Sequence, residues 1–148
     1  MLAGHSAGIV LDRELDVSRG DWLLAVDAGV PGADDFDDAP ASPIPVAREV
    51  TATIAWLDNE PLVPGRVYWA LHGHRWVKAK VRRIVHQIHI ETLAETDAAQ
   101  LPPNAIGVVE LVLQEPIATL PYTRSRGLGA LVLVDTASHA TAGAVMLH

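Results

Sequence analysis

The chain has 148 residues, a hydrophobic share of 49%, no cysteine and a formal net charge of −7. This length and composition predict one domain with a packed core, and the acidic balance opposes a nucleic-acid-binding role, which usually needs a basic face. Without cysteine no disulfide or thiolate metal site is possible, no apolar run approaches the ~20 residues of a membrane span, and no signal peptide is apparent, so a cytoplasmic protein is expected.

The first 21 residues are predicted to hold one short strand followed by a turn. Residues 9–11 (Ile-Val-Leu) form the strand, and the polar run after them closes on residues 18–21 (Ser-Arg-Gly-Asp). Glycine takes a positive φ at no steric cost, and serine and aspartate side chains bond to nearby backbone groups. The chain is therefore expected to turn at Gly20.

Residues 4–8 match G-x-S-x-G, the pattern of a nucleophile elbow, with Ser6 in the nucleophile position. That motif requires a strand before it and a helix after it. Here a β-like run follows, and there is no room for a strand in front. The context does not favour a nucleophilic serine.

Residues 22–45 combine a predicted strand with a long polar loop. Residues 22–26 (Trp-Leu-Leu-Ala-Val) are continuously apolar, which is typical of a buried strand. Residues 27–45 contain four prolines, two glycines and the acidic residues Asp34, Asp35, Asp37 and Asp38. Such a stretch predicts a mobile, solvated acidic loop, and it lacks the spacing of a calcium-binding loop.

From residue 47 onward the pattern is that of an all-β domain. Strands are predicted at residues 50–56, 67–71, 75–90, 107–113, 131–134 and 141–147, with residues 75–90 as either one long strand or two bent ones. A single helical turn is expected at residues 92–99. Glu115-Pro116 is expected to end the strand predicted at residues 107–113. Strands separated by glycine and proline turns describe a small antiparallel barrel of about six strands.

The histidines are candidates for chemistry, but they show no metal-ligand spacing. His72 and His74 flank a turn glycine, and His86 and His89 are three residues apart, which places them on opposite faces of a strand. No metal site is predicted.

Catalytic and nucleotide-binding motifs are also missing. Asp135, Ser138 and His139 lie within one five-residue turn and could scarcely meet the geometry of a triad. The sequence has no G-x-x-x-x-G-K-[ST] loop and no alternation of strands and helices to position one, so it is not expected to bind a nucleoside triphosphate by that route.

Two further residue classes are interpreted as structural. The four tryptophans, Trp22, Trp56, Trp69 and Trp76, stand at strand positions, where core packing is the default and one or two could anchor a partner surface. Lys78, Lys80 and Arg82 alternate along a predicted strand, and with Arg83 and Arg75 they are expected to form a solvated face.

Four stretches carry a family resemblance, and they occur in the same order along the chain. They are residues 13–21, Trp56 with residues 59–65, residues 101–107 followed by Glu115-Pro116, and residues 135–146. They resemble the stretches DEIDISRGD, EQPLSPG, LPLNGIG…EP and DRLSNVTVGAGM of the large, GTP-binding subunit of bacterial sulfate adenylyltransferase, a relative of elongation factor Tu.

The resemblance implies a chain order of GTPase domain, first β-barrel and second β-barrel. Residues 1–21 would be the tail of the first barrel and the segment that connects the two barrels. Residues 22–148 would be the C-terminal Greek-key barrel, with the acidic loop at 27–45. The terminal strand at residues 9–11 would then belong to the preceding barrel.

The resemblance also implies the activity of the parent complex: ATP and sulfate give adenylyl sulfate and pyrophosphate, coupled to GTP hydrolysis. The adenylyl transfer belongs to a separate small subunit. The family's nucleotide-binding residues have no positions in this chain, so no catalytic, cofactor-binding or metal-binding residues and no cofactor are expected here, and GTP and ATP are implied for the parent complex alone.

The resulting hypothesis is an interaction module that docks the GTPase domain of its own subunit and the small catalytic subunit, without nucleic acid or membrane as a partner. Self-association is expected through surface that the other domains would cover. The alternative is a freestanding small enzyme with a histidine-centred site that involves Ser6, His72 or His74. A ligand- or RNA-binding barrel of the translation-factor kind is disfavoured by the charge of −7.

Overall fold

A computed structural model describes residues 2–24 and 44–148 of the chain. The regular secondary structure within these ranges consists of β-strands alone. β-Branched and aromatic residues, which favour this conformation, are frequent in the strands. The strands are β1 (Val46–Trp56), β2 (Val67–His72), β3 (Arg75–Ile88), β4 (Glu95–Thr96), β5 (Ile106–Ala118), β6 (Ala130–Val134) and β7 (Thr141–Leu147). The acidic loop predicted at residues 27–45 lies outside the described residues except for its last two.

Six of these strands close into an antiparallel barrel. Their spatial order is β2-β6-β7-β1-β5-β3, and β2 also pairs with β3, which joins the two ends of the sheet. The short β4 pairs with the end of β3, where Ile88 lies opposite Glu95. The prediction of an all-β fold with a small antiparallel barrel of about six strands is confirmed.

The barrel interior is filled by one side of each strand. In β2, Tyr68, Ala70 and His72 are buried while the residues between them face outward, as expected from the two-residue period of a strand. The rings of Trp56 and Tyr68 meet edge to face inside the barrel, with their centroids 5.4 Å apart. Such a pair adds to the stabilisation that comes from burial alone.

Pro116 does not end β5, contrary to the prediction. Pairing of β5 with β3 stops at Leu113, and pairing with β1 passes from Val112 directly to Ile117. Pro116 therefore lies where neither neighbour pairs with the strand, and a proline is tolerated there because no ladder hydrogen bond needs its missing N–H.

The helical turn predicted at residues 92–99 is wrong, since this stretch contains β4. The N–H of Leu93 donates to the carbonyl of His89 at 2.7 Å, and the N–H of His89 donates to the carbonyl of Ala94 at 3.0 Å. Leu93 has a φ of +56°, which a right-handed helix cannot continue through. The chain reverses here and returns to pair with β3.

The strand predicted at residues 9–11 is absent. Val10 is 96% exposed, and residues 22–24 are not in a strand either, while Ala25 and Val26 of the second predicted segment lie outside the described residues. A strand needs a neighbour for its backbone groups, and a closed barrel offers no free edge of that kind. Apolar composition alone therefore gave the wrong element at residues 9–11 and 22–24.

Candidate functional site

The N-terminal segment packs against the barrel at the turn between β2 and β3. We call residues 18–22, together with the turn residues 72–75, the seam. Within it the N–H of Asp21 donates to the carbonyl of Ser18 at 3.1 Å, and the N–H of Ser18 donates to Oδ2 of Asp21 at 2.9 Å. Gly20 has a φ of +98°, so the glycine-dependent turn predicted at this position is confirmed.

Gly20 also allows a close approach between the two parts of the seam. A Cβ at this position would lie 3.2 Å from the Cα of Arg75 and 3.2 Å from the carbonyl oxygen of His74. Such contacts are tighter than ordinary van der Waals distance. The glycine therefore serves both the turn and its contact with the barrel.

Trp22 contacts the barrel through its indole ring. Its ring lies over His72 with the centroids 5.5 Å apart, and a Cβ on Gly73 would be only 2.7 Å from its Cζ2. Gly127 faces the same ring, with a Cβ-to-Cη2 distance of 3.5 Å. The indole is seated between two glycines and a histidine, in a depression that side chains at either glycine would narrow.

His72 is buried beneath Trp22, with 1% of its surface exposed. Its Nε2 lies 3.0 Å from the carbonyl oxygen of Leu128, which can only accept, so Nε2 carries the proton in the neutral ring. Nδ1 is buried and has no hydrogen-bond partner in the part of the chain that the structure describes. Burial, with a smaller contribution from the positive charge of Arg75, lowers the pKa of His72, and the carbonyl of Leu128 opposes this only in part.

Ser6, His72 and His74, the residues of the alternative histidine-centred site, are not connected to one another by hydrogen bonds among the described residues. A cavity beside the seam is lined by His74 with Arg19, Arg75 and Trp76, and a smaller one by His74 with the residues of the turn. Ser6 is exposed and makes no hydrogen bond to either histidine within the described ranges. Among residues 2–24 and 44–148, no group of three or more His, Asp or Glu side chains could hold a metal ion.

Asp135 is engaged in a structural turn. Its Oδ1 accepts the N–H groups of Ala137 and Ser138 at 2.8 and 2.9 Å, and its Oδ2 forms an ion pair with Arg66 at 2.7 Å. The two backbone N–H groups and Arg66 lower the pKa of Asp135. The carboxylate therefore fixes the turn before β7, and its hydrogen-bonding positions are directed to the backbone and to Arg66.

Lys78, Lys80 and Arg82 of β3 are exposed and alternate with buried residues, as predicted; Arg83 is exposed beside Arg82, and Arg75 is half-buried. Arg83 pairs with Glu110 at 2.8 Å and Arg82 with Glu49 at 3.5 Å. Pairing of this kind gives a mixed-charge surface and leaves little of the positive excess that tracks a phosphate backbone.

No helix in the described part of the chain is long and apolar enough to cross a membrane.

The buried His72 predicts a pH-dependent stability. The unfolded chain protonates this ring near pH ~6.5, whereas the folded protein keeps it neutral to a lower pH. The free energy of unfolding should therefore fall as the pH drops below about 6.5, by at most about 1.4 kcal/mol per pH unit, until the pKa of the folded state is reached.

Urea titrations between roughly pH 7 and pH 5 measure this slope. His72→Gln should reduce it, because the titrating group is gone, whereas His74→Gln, at an exposed position across the same turn, should leave it unchanged. Equal slopes for the parent chain and His72→Gln would contradict the prediction.

Comparison with known proteins places the fold in a known group. Residues 49–148 match the sequence model of the family described as GTP-eEF1A C-terminal domain-like. The structure is similar to that of Sup35 complexed with GDP, with a TM-score of 0.65, 15% identity and coverage of 72% of this chain and 26% of that one. For Sup35 complexed with GMPPNP the TM-score is 0.60 at 17% identity, covering 78% and 31% of the two chains.

Three curated relatives align with nearly the whole chain. The bifunctional enzyme CysN/CysC of Xylella fastidiosa is 38% identical over 97% of this chain, and the bifunctional enzyme NodQ of Azospirillum brasilense is 37% identical over 99%. Sulfate adenylyltransferase subunit 1 of Erwinia tasmaniensis is 34% identical over 99%. The chain spans 21%, 21% and 28% of the lengths of these three proteins.

Proposed function

Because the chain belongs to the GTP-eEF1A C-terminal domain-like family, we propose that it acts as the C-terminal barrel of a GTP-binding subunit of sulfate adenylyltransferase. The observation that carries the proposal is the alignment of nearly the whole chain, at 34–38% identity, with the three relatives. One of these is named as subunit 1 of sulfate adenylyltransferase. The motifs at residues 13–21, 59–65, 101–107 and 135–146 support the same assignment.

The proposed role is docking and coupling, with catalysis carried out elsewhere in the complex. The parent activity would convert ATP and sulfate to adenylyl sulfate and pyrophosphate on a small subunit, driven by GTP hydrolysis in a GTPase domain. This sequence contains no phosphate-binding loop, and the buried side chains of His72 and Asp135 bind the carbonyl of Leu128 and the backbone of a turn, respectively. Its partners in this proposal are that GTPase domain and that small subunit.

The division of the chain is part of the proposal. Residues 1–21 would belong to a preceding barrel and its exit, and residues 22–148 to the barrel described here. Two observations support a boundary in this region of the chain: Trp22 packs on His72 and Gly73 of the barrel, whereas Val10 and Leu15 are 96% and 52% exposed. Apolar side chains left exposed in one segment are typical of a surface that another domain covers.

Reconstitution tests the proposed function. The purified chain is mixed with a small subunit and with a separately produced GTPase portion of subunit 1, and complex formation is followed by size-exclusion chromatography and calorimetry. We expect co-elution with at least one of them, GTP-dependent adenylyl sulfate formation only in the full mixture, and neither GTP hydrolysis nor adenylyl transfer by the chain alone.

A matched pair of variants shows whether the seam takes part. Trp22→Ala removes the contact with the barrel and should weaken binding of the GTPase portion, whereas Leu57→Ala removes an exposed apolar side chain outside the seam and should not. If the chain binds neither component and restores no activity, the coupling role is excluded.

A further inference from the structure

One outer face of the barrel is apolar where a solvated barrel surface would be polar. Leu71 of β2 lies between Trp76 of β3 and Val132 of β6, and on the next rung Trp69 lies between Lys78 and Val134. We call Trp69, Leu71, Trp76, Val132 and Val134 the tryptophan face. Together with His139 and Thr141 these residues line a groove of about 570 Å³, and Trp76 is 51% exposed.

The outer face formed by β1, β3 and β5 is built differently. Its outward residues include Arg83 paired with Glu110 and Arg82 paired with Glu49. Along the strands of both faces, inward and outward side chains alternate in the same way. Barrel geometry therefore does not require the outward residues of the tryptophan face to be apolar. Contiguous apolar side chains of this kind, with tryptophans at their centre, are typical of a surface that binds a protein partner.

Positive charge borders the tryptophan face. The ammonium of Lys78 lies 5.3 Å from the centre of the Trp69 ring, in the range of a cation–π contact. On the other side, Trp76 also lines a second depression with Arg19, His74 and Arg75. Arg19 forms no ion pair with any described residue, whereas Arg75 is paired with Glu115 at 2.7 Å.

Of the carboxylates near this border, Glu115 is bound to Arg75, whereas Asp21 accepts the backbone N–H of Ser18 and keeps its negative charge. Among the described residues, Lys78 and Arg19 are the cations of this border that form no ion pair, and they lie on two sides of the apolar groove. A partner segment that complements this surface would carry a stripe of apolar side chains with carboxylates beside it.

We propose that the tryptophan face binds an acidic amphipathic segment of a partner protein. Its apolar side chains lie in the groove against Trp69 and Trp76, and its carboxylates meet Lys78 and Arg19. Helices that insert an apolar face into a groove are a common mode of peptide recognition. This inference rests on the proposed docking function and names the surface and the partner chemistry that docking uses.

The test measures binding of synthetic helical peptides to the full chain by calorimetry and tryptophan fluorescence. The probes are an 18-residue (about five helical turns) Glu/Leu amphipathic peptide, a scrambled peptide of the same composition, and a Lys/Leu amphipathic peptide. We expect the acidic amphipathic peptide to bind at least about tenfold more tightly than either of the others, which corresponds to about 1.4 kcal/mol.

Variants locate the binding surface. Trp69→Ser combined with Trp76→Ser, and separately Lys78→Glu, should each weaken that binding about tenfold or more. Val63→Ser, an exposed apolar position outside the face, and Arg82→Glu, further along the same strand, should leave it unchanged. Circular dichroism of each variant establishes that the barrel is folded.

Three outcomes would overturn the inference: equal affinity for the acidic and scrambled peptides, binding that survives the double tryptophan substitution, or displacement of the peptide by a single-stranded oligonucleotide that binds more tightly. Because the measurement needs no small subunit or GTPase portion, its failure leaves the reconstitution result standing. Loss of reconstitution with intact peptide binding would refute the proposed function alone.

Discussion

Replacing Trp56 with alanine is expected to lower the free energy of unfolding by about 3–5 kcal/mol, the range found when a large aromatic side chain is removed from a core. Trp56 is 0% exposed, its ring meets that of Tyr68 at 5.4 Å, and its indole N–H donates to the carbonyl of Glu60 at 2.7 Å. The substitution removes the buried area and the aromatic pair, and it leaves the carbonyl of Glu60 without this donor.

Chemical denaturation followed by circular dichroism measures this change. Trp76→Ala serves as the control, because the same atoms are deleted from a side chain that is 51% exposed, and its cost should stay below about 1 kcal/mol. A similar loss for both variants would mean that the barrel interior is not organised around Trp56.

Replacing Gly73 with alanine is expected to release the seam from the barrel. Gly73 has a φ of +60°, and a Cβ there would lie 2.7 Å from Cζ2 of Trp22. The left-handed backbone costs about 1–2 kcal/mol for a residue with a side chain. In addition the indole must leave its depression, so residues 18–22 should lose their contact with residues 72–75.

Gly65→Ala is the matched control for that experiment. Gly65 also has a positive φ, +92°, but nothing lies within 4 Å of a Cβ placed there. Both variants should lose stability, and only Gly73→Ala should speed hydrogen exchange at residues 18–22, measured by mass spectrometry. Unchanged exchange in that segment would show that Trp22 tolerates the added methyl group and that the seam does not depend on the glycine.

The strands of the barrel could be predicted because each carries its own signal. Apolar residues alternate with basic ones in the first half of β3, β2 is a short run of apolar and aromatic residues, and prolines, glycines and asparagine separate the runs, so type and position followed from local chemistry. The turn at Gly20 was equally local, since a positive φ next to serine and aspartate depends on neighbouring residues alone.

Three features were wrong or missing because they depend on distant pairing. Residues 9–11 look like a strand but have no strand beside them among the described residues, and Pro116 sits inside β5 because both neighbours skip its position. In place of the helical turn predicted at residues 92–99, the chain reverses its direction, and β4 pairs with the end of β3. None of these partners is visible in the local sequence.

The candidate site divides in the same way. Three of the four tryptophans predicted at strand positions lie in strands, whereas Trp22 does not, and the sequence indicated that one or two tryptophans could anchor a partner. It could not separate Trp56, which the two-residue period turns inward, from Trp69 and Trp76, whose strands present them on the outer surface. It also could not bring Trp22 onto His72, fifty residues away along the chain.

The sequence by itself determined the fold class and the family of this protein, because strand periodicity, turn residues and ordered motifs are properties of neighbouring positions. The tertiary structure decided which of those residues meet. Pairing of β2 with the neighbouring β3 and with the distant β6 created the tryptophan face, and the turn between β2 and β3 together with Gly127 created the depression that holds Trp22. Neither surface can be recognised in the local sequence, since each includes residues that are distant along the chain.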